Sequence, residues 1–123
     1  MDFDVIVIGS GPAGATAAMY LGKALGKEKV LLVDKAGFPR DKICGDAQGR
    51  KAANIMRELG VEDEYRKLPG HVVYGITLSS PNGTVADIDI TTRDKPAPGF
   101  CHRRIVFDKY LHIISSAKTL DIR

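Results

Sequence analysis

The chain has 123 residues, 44% of them hydrophobic and 27% charged, with a formal net charge of +3 at pH 7. That composition belongs to an ordinary globular protein, and the length suits one domain with one core. Lysines and arginines are interspersed with acids, so there is no basic stripe for nucleic acid, and no apolar run is long enough to span a bilayer. The first apolar run follows acids and leads at once into glycines, which is not the pattern of a signal peptide, so the cytoplasm is the expected compartment. Cys44 and Cys101 are too few and too isolated for a zinc site or a disulfide framework, and both are expected to be reduced.

Val5–Ile8 is a continuous apolar run, the pattern of a strand buried on both faces. Pro12 then opens an alanine-rich helix to about Leu25, and Val30–Val33 is a second buried strand ending in Asp34. Residues 4–34 thus form a βαβ core whose strands run parallel through a right-handed crossover. Residues 35–60 hold a loop rich in glycine, proline and charge, then a helix over about 47–59. Asp46 is placed to cap that helix, Gly60 follows its end, and Ala52, Ile55, Met56 and Leu59 form its apolar face. Alternation on either side of Asn82-Gly83 predicts an antiparallel hairpin over 72–91, with both turn residues tolerating positive φ and Asp87 and Asp89 on its solvent face. After a proline-rich link at 95–99, Phe107, Leu111 and Ile114 share one helix face. Residues 120–123 begin a third strand, so that 104–123 supplies a crossover helix and a sheet strand.

Gly9-Ser10-Gly11-Pro12-Ala13-Gly14 is a G-x-G-x-x-G that follows a strand, opens a helix, and has an acid, Asp34, twenty residues after its last glycine. Each part has a task. Gly9 allows the tight turn, Gly11 lets a pyrophosphate approach the backbone, and Gly14 lets the helix pack close to the strand. Pro12 and Ala13 form the first turn of the helix, whose N-terminus offers N–H groups to phosphate. Asp34 is placed to accept hydrogen bonds from a ribose and to repel a 2′-phosphate. The pattern predicts a dinucleotide site, and by itself it serves NAD and FAD alike.

"GSGPAGATAA", "VDK", "FPRDKICGDA" and "HRRIVFDKYL" follow one another in the order and approximate spacing of one flavoprotein group. The chain resembles the N-terminal portion of the geranylgeranyl reductase family, within the p-hydroxybenzoate hydroxylase-fold flavoproteins. The resemblance implies an α/β fold: a Rossmann-like βαβ FAD-binding unit with an inserted antiparallel β-hairpin, a truncated part of a larger two-domain flavoprotein. Residues 1–123 would be the N-terminal part of its FAD-binding domain. FAD is the implied cofactor, with its pyrophosphate at Gly9, Gly11, Pro12, Ala13 and Gly14 and its ribose at Asp34, a position more often glutamate. Lys35 adjoins that acid. Arg40 and Lys42 match basic positions that offset phosphate charge or line the flavin entrance, against the alternative of a solvated basic loop. Cys44 and Gly45 match a Cys-Gly pair near the isoalloxazine, against the alternative of a small buried thiol for Cys44. Arg104 matches an arginine close to FAD, against the alternative of an ion pair with Asp108.

His71, His102 and His112 show no ligand spacing and are expected in surface or satisfied structural roles, and no metal site is expected. The implied activity is saturation of carbon–carbon double bonds in a prenyl lipid, with transient contact with a membrane surface. A flavin monooxygenase or halogenase and a non-catalytic nucleotide-binding fragment are the alternatives. No catalytic residue is assigned. The 123 residues are expected not to turn over substrate alone and to need a further C-terminal region or a partner chain.

Overall fold

The computed structural model describes residues 2–90, 99–116 and 120–121. In chain order the elements are β1 (Val5–Ile8), α1 (Pro12–Leu25), a 3-10 turn (Lys27–Lys29), β2 (Val30–Val33), β3 (Ala47–Gln48), α2 (Arg50–Glu58), α3 (Glu62–Arg66), β4 (His71–Val73), β5 (Gly75–Ser79), β6 (Val85–Asp89), β7 (Gly99–Cys101), α4 (Arg104–Ser116) and β8 (Leu120–Asp121). They divide into two compact units: Met1–Cys44 with Arg104–Arg123, and Gly45–Arg103. The length suggested a single core; each unit instead has its own buried cluster.

The first unit is a parallel sheet in the order β1-β2-β8, the α/β arrangement expected, with β2 central. Its register runs from Val5↔Val30 to Ile8↔Val33. Ala18, Val30 and Leu32 form the buried core, with Val7 and Leu21 packed against it. α1 is alanine-rich on this side, which lets the helix lie close to the strands, and α4 packs beside α1. The third strand is described over Leu120–Asp121, and residues 122–123 of the expected strand lie outside the described residues. One expectation is corrected. β1 is covered on one face only: Val5 and Val7 turn toward α1, whereas Ile6 and Ile8 are 59% and 85% exposed. α1 and α4 pack against each other, on the one face that right-handed crossovers running in one direction along the sheet require. Among the described residues of this unit nothing covers the other face.

The second unit holds an antiparallel sheet in the order β3-β7-β4 and a separate β5-β6 hairpin. Its core is built around Ala53, Met56, Tyr65, Phe100 and His102, all buried. The Tyr65 ring meets Phe100 and His102 edge-on, with centroids 5.0 Å apart in both cases, and Phe100 and His102 stack at 5.5 Å. Burial pushes the Tyr65 phenol up to about 12, against a smaller opposing effect of Arg66.

Three local expectations are corrected here. The helix expected over 47–59 begins at Arg50, with Gly49 rather than Asp46 at its N-cap. Ala47 and Gln48 are drawn into the sheet, opposite Cys101 and Phe100, and the Asp46 carbonyl accepts from His102 N–H. The hairpin expected over 72–91 spans Gly75–Ser79 and Val85–Asp89 only, because His71–Val73 pairs with β7 instead. Residue 91 and most of the proline-rich link lie outside the described residues, and Gly99 itself starts β7. At the hairpin tip only Gly83 has positive φ, at 85°. Asn82 keeps negative φ and accepts from Thr84 N–H through its side chain at 3.1 Å. Asp87 and Asp89 are exposed, as is every residue of both hairpin strands.

Candidate cofactor site

The glycine-rich turn leaves β1 at Gly9, whose φ of 100° lies where L side chains are strained. Its N–H donates to the Val33 carbonyl at 2.7 Å, which ties the turn to the end of β2. A Cβ on Gly14 would sit 1.8 Å from the Gly9 carbonyl oxygen, so helix and turn touch through bare backbone. A Cβ on Gly11 would meet nothing within 4 Å. The two glycines therefore act differently: Gly14 closes the turn on itself, and Gly11 leaves open space beside it. Gly11 is the N-cap of α1, Pro12 is its first residue, and no side chain caps the end. Ala13 and Gly14 lie in the first turn, where N–H groups have no intrahelical acceptor and the helix dipole is positive. This cradle fits a pyrophosphate.

Asp34 stands directly beside the turn. Its Oδ2 accepts from Ser10 N–H at 2.6 Å, and its Oδ1 accepts from Ala36 N–H at 3.0 Å. Arg40 donates to both oxygens, at 2.9 and 2.8 Å. Desolvation pushes this carboxyl up, but the hydrogen bonds from Ser10, Ala36 and Arg40, with the charge of Arg40, outweigh it and hold the carboxyl below its ordinary range. Arg40 is therefore bound to the acid of the motif, a pairing the spacing alone did not reveal. Its guanidinium also lies 4.6 Å from the Phe38 ring centroid, and Phe38 stacks on His112 at 4.3 Å. His112 Nδ1 shares a 2.9 Å hydrogen bond with Ser10 Oγ, on a serine only 1% exposed.

Sequence reasoning missed Ser10, Phe38 and His112 as parts of this site. A faint signal for α4 existed. Its buried residues Arg104, Phe107, Asp108, Leu111 and Ser115 recur at helical spacing, and three of them are polar.

Lys35 and Lys42 are exposed on the loop after β2. Arg104 is buried and forks onto Asp108 with two 2.8 Å hydrogen bonds, the ion-pair alternative. The Asp108 hydrogen bond, set against desolvation and helped by the adjacent Cys44, raises the Arg104 guanidinium above its ordinary value. Cys44 is exposed and not a buried thiol, and it neighbours Arg104. Gly45 belongs to the second unit and has open space around its Cα. His71 is exposed, while His102 is buried in a structural role with its Nδ1 2.8 Å from Gln48 Oε1.

The profile of the FAD binding domain family matches residues 2–108. The chain belongs to that family. FAD is the cofactor of this domain, and the cradle at Gly9–Gly14 fits the pyrophosphate of that molecule. Digeranylgeranylglycerophospholipid reductase 1 of Methanosphaera stadtmanae is 38% identical over 111 residues, which is 88% of this chain and 25% of that protein. Menaquinone reductase of Mycobacterium tuberculosis is 36% identical over 106 residues, 85% of this chain and 24% of that protein. The structure of the flavin-dependent brominase Bmp2 matches with a TM-score of 0.83 and 27% identity, covering 100% of this chain and 29% of that one. The FAD-binding domain thus spans about a quarter of the length of both reductases. Both of these relatives are reductases by name, and the resemblance to geranylgeranyl reductases is borne out. No helix among the described residues is long and apolar enough to cross a membrane.

Proposed function

We propose that the protein carrying this FAD-binding domain is a reductase that saturates carbon–carbon double bonds of a prenyl lipid. The observation that carries the reading is the 38% identity to a geranylgeranyl-lipid reductase, which extends over 111 residues rather than over the fingerprint alone. A second relative has an isoprenoid quinone in its name. In this reading Gly9, Gly11, Pro12, Ala13 and Gly14 hold the pyrophosphate and Asp34 holds the ribose. Lys35 and Lys42 supply positive charge beside them, and Cys44 and Arg104 face the flavin end. Bound FAD, reduced by an external donor, supplies the hydride chemistry. The residues of this chain bind and orient it. The protein works in the cytoplasm and meets its lipid at the membrane surface.

The likeness to the brominase supports a second reading, a flavin-dependent halogenase or monooxygenase. The two share a fold, so only the reaction separates them. The test joins this domain to the remaining length of the Methanosphaera stadtmanae reductase, reduces the flavin, and offers a geranylgeranylglycerol ether lipid. Product two hydrogens heavier per double bond, formed without oxygen, is the expected result. Product only when oxygen is admitted, carrying halogen or hydroxyl, overturns the reductase reading.

A further inference from the structure

Asp34 is already saturated. A carboxylate offers about four acceptor positions. Oδ1 takes Ala36 N–H and Arg40 Nη1, and Oδ2 takes Ser10 N–H and Arg40 Nη2. Two of the four donors are backbone amides of the turn and the following loop. They hold the carboxylate in place and leave only if the backbone moves. The other two belong to a single side chain. The Asp34 side chain is 7% exposed and that of Arg40 32%, so the guanidinium lies on the solvent side of the acid.

A ribose diol and a guanidinium offer a carboxylate the same thing: two donors side by side, suited to a bidentate contact. We propose that Arg40 is an internal competitor of the cofactor. Its fork occupies the positions on Asp34 that the adenosine diol takes, and it must let go before the diol can bind. The inference rests on the reading that Asp34 receives the ribose. Arg40 then sets the rate and strength of FAD capture rather than adding a contact to the bound cofactor. Phe38 supports the exchange, because the guanidinium lies over its ring at 4.6 Å and keeps that cation–π partner when the carboxylate is given up. The arrangement also has a use without cofactor. It neutralises a nearly buried carboxylate.

The consequence runs against intuition for a cationic side chain beside a phosphate site: its removal improves binding. FAD titration of the full chain, followed by flavin fluorescence at high salt to suppress general charge attraction, tests it in equilibrium and stopped-flow form. Arg40→Ala and Arg40→Gln are expected to bind FAD about fivefold more tightly, the size of one good bidentate surface pair, with the gain in the association rate. Arg40→Lys, a point charge without a fork, falls between them and the parent. In an Asp34→Ala background, Arg40→Ala changes nothing. Unchanged or weaker FAD binding in both Arg40→Ala and Arg40→Gln overturns the inference and leaves Arg40 a cofactor contact or a loop residue. Failure of the underlying reading looks different: Asp34→Ala alone would then leave FAD affinity untouched.

Discussion

Gly11 and Gly14 stand three residues apart in the same turn, and a methyl group should act on them in opposite ways. At Gly11 a Cβ meets nothing within 4 Å and φ is −69°, so Gly11→Val keeps the fold while filling the space the pyrophosphate needs. Thermal melting is expected to change little and flavin titration to show loss of FAD. At Gly14 the added carbon lies 1.8 Å from the Gly9 carbonyl oxygen, so turn and helix must separate. Gly14→Ala is expected to cost about 1–3 kcal/mol of folding stability, as overpacking does, together with FAD binding. A Gly11→Val protein that still binds FAD with full affinity would remove the turn as the phosphate site. At this scale the motif was legible because its logic is local: strand, turn and helix lie within a few residues. Ser10 was not, since its partner His112 is 102 positions away and only the packing of α4 brings it near.

The elements carry two further predictions. In α4, Arg104 and Asp108 are both buried and pair one helical turn apart. Arg104→Ala leaves a carboxylate uncompensated and is expected to cost about 3–5 kcal/mol in chemical denaturation. The double variant Arg104→Leu/Asp108→Leu should be far less destabilised, because it buries no lone charge; equal losses in the two would show that the pair is not the cause. In the second unit, burial lowers the His102 imidazole below its ordinary value. The unfolded chain therefore takes up a proton near pH 6.5 that the folded chain refuses, and stability falls as pH drops through that value toward the lowered folded one. His102→Asn should flatten this part of the melting-temperature profile, and a profile that keeps its slope would assign the effect to another group. The same histidine explains why the helix starts at Arg50 and not at 47. Gln48 looks like the first turn of a helix, yet its side chain bonds the His102 ring and two backbone carbonyls while its backbone joins Phe100.

For the molecule as a whole, the open face of the parallel sheet matters most. β1 has a single neighbour, β2, among the described residues, and Ile6 and Ile8 lie bare on it. An exposed apolar edge is a template for association. The chain is expected to self-associate in sedimentation as its concentration rises, and Ile8→Lys to shift it toward monomer without loss of FAD binding; a chain that stays monomeric throughout would refute this.

Sequence alone determined the βαβ core, the dinucleotide turn, the acid beside it and the flavoprotein resemblance. All of these depend on short-range order: apolar runs, glycine at fixed offsets, and an acid at the end of the second strand. Tertiary structure decided what those residues touch. It split the expected hairpin between two sheets, because β7 competes for His71–Val73. It exposed one face of β1, because both helices of that unit lie on the other. It also placed Arg40 on Asp34, because a flexible side chain six residues on reaches the one carboxylate that the turn and the loop hold still. Pairings of that kind depend on where the backbone brings its ends together, and a linear pattern does not carry that distance.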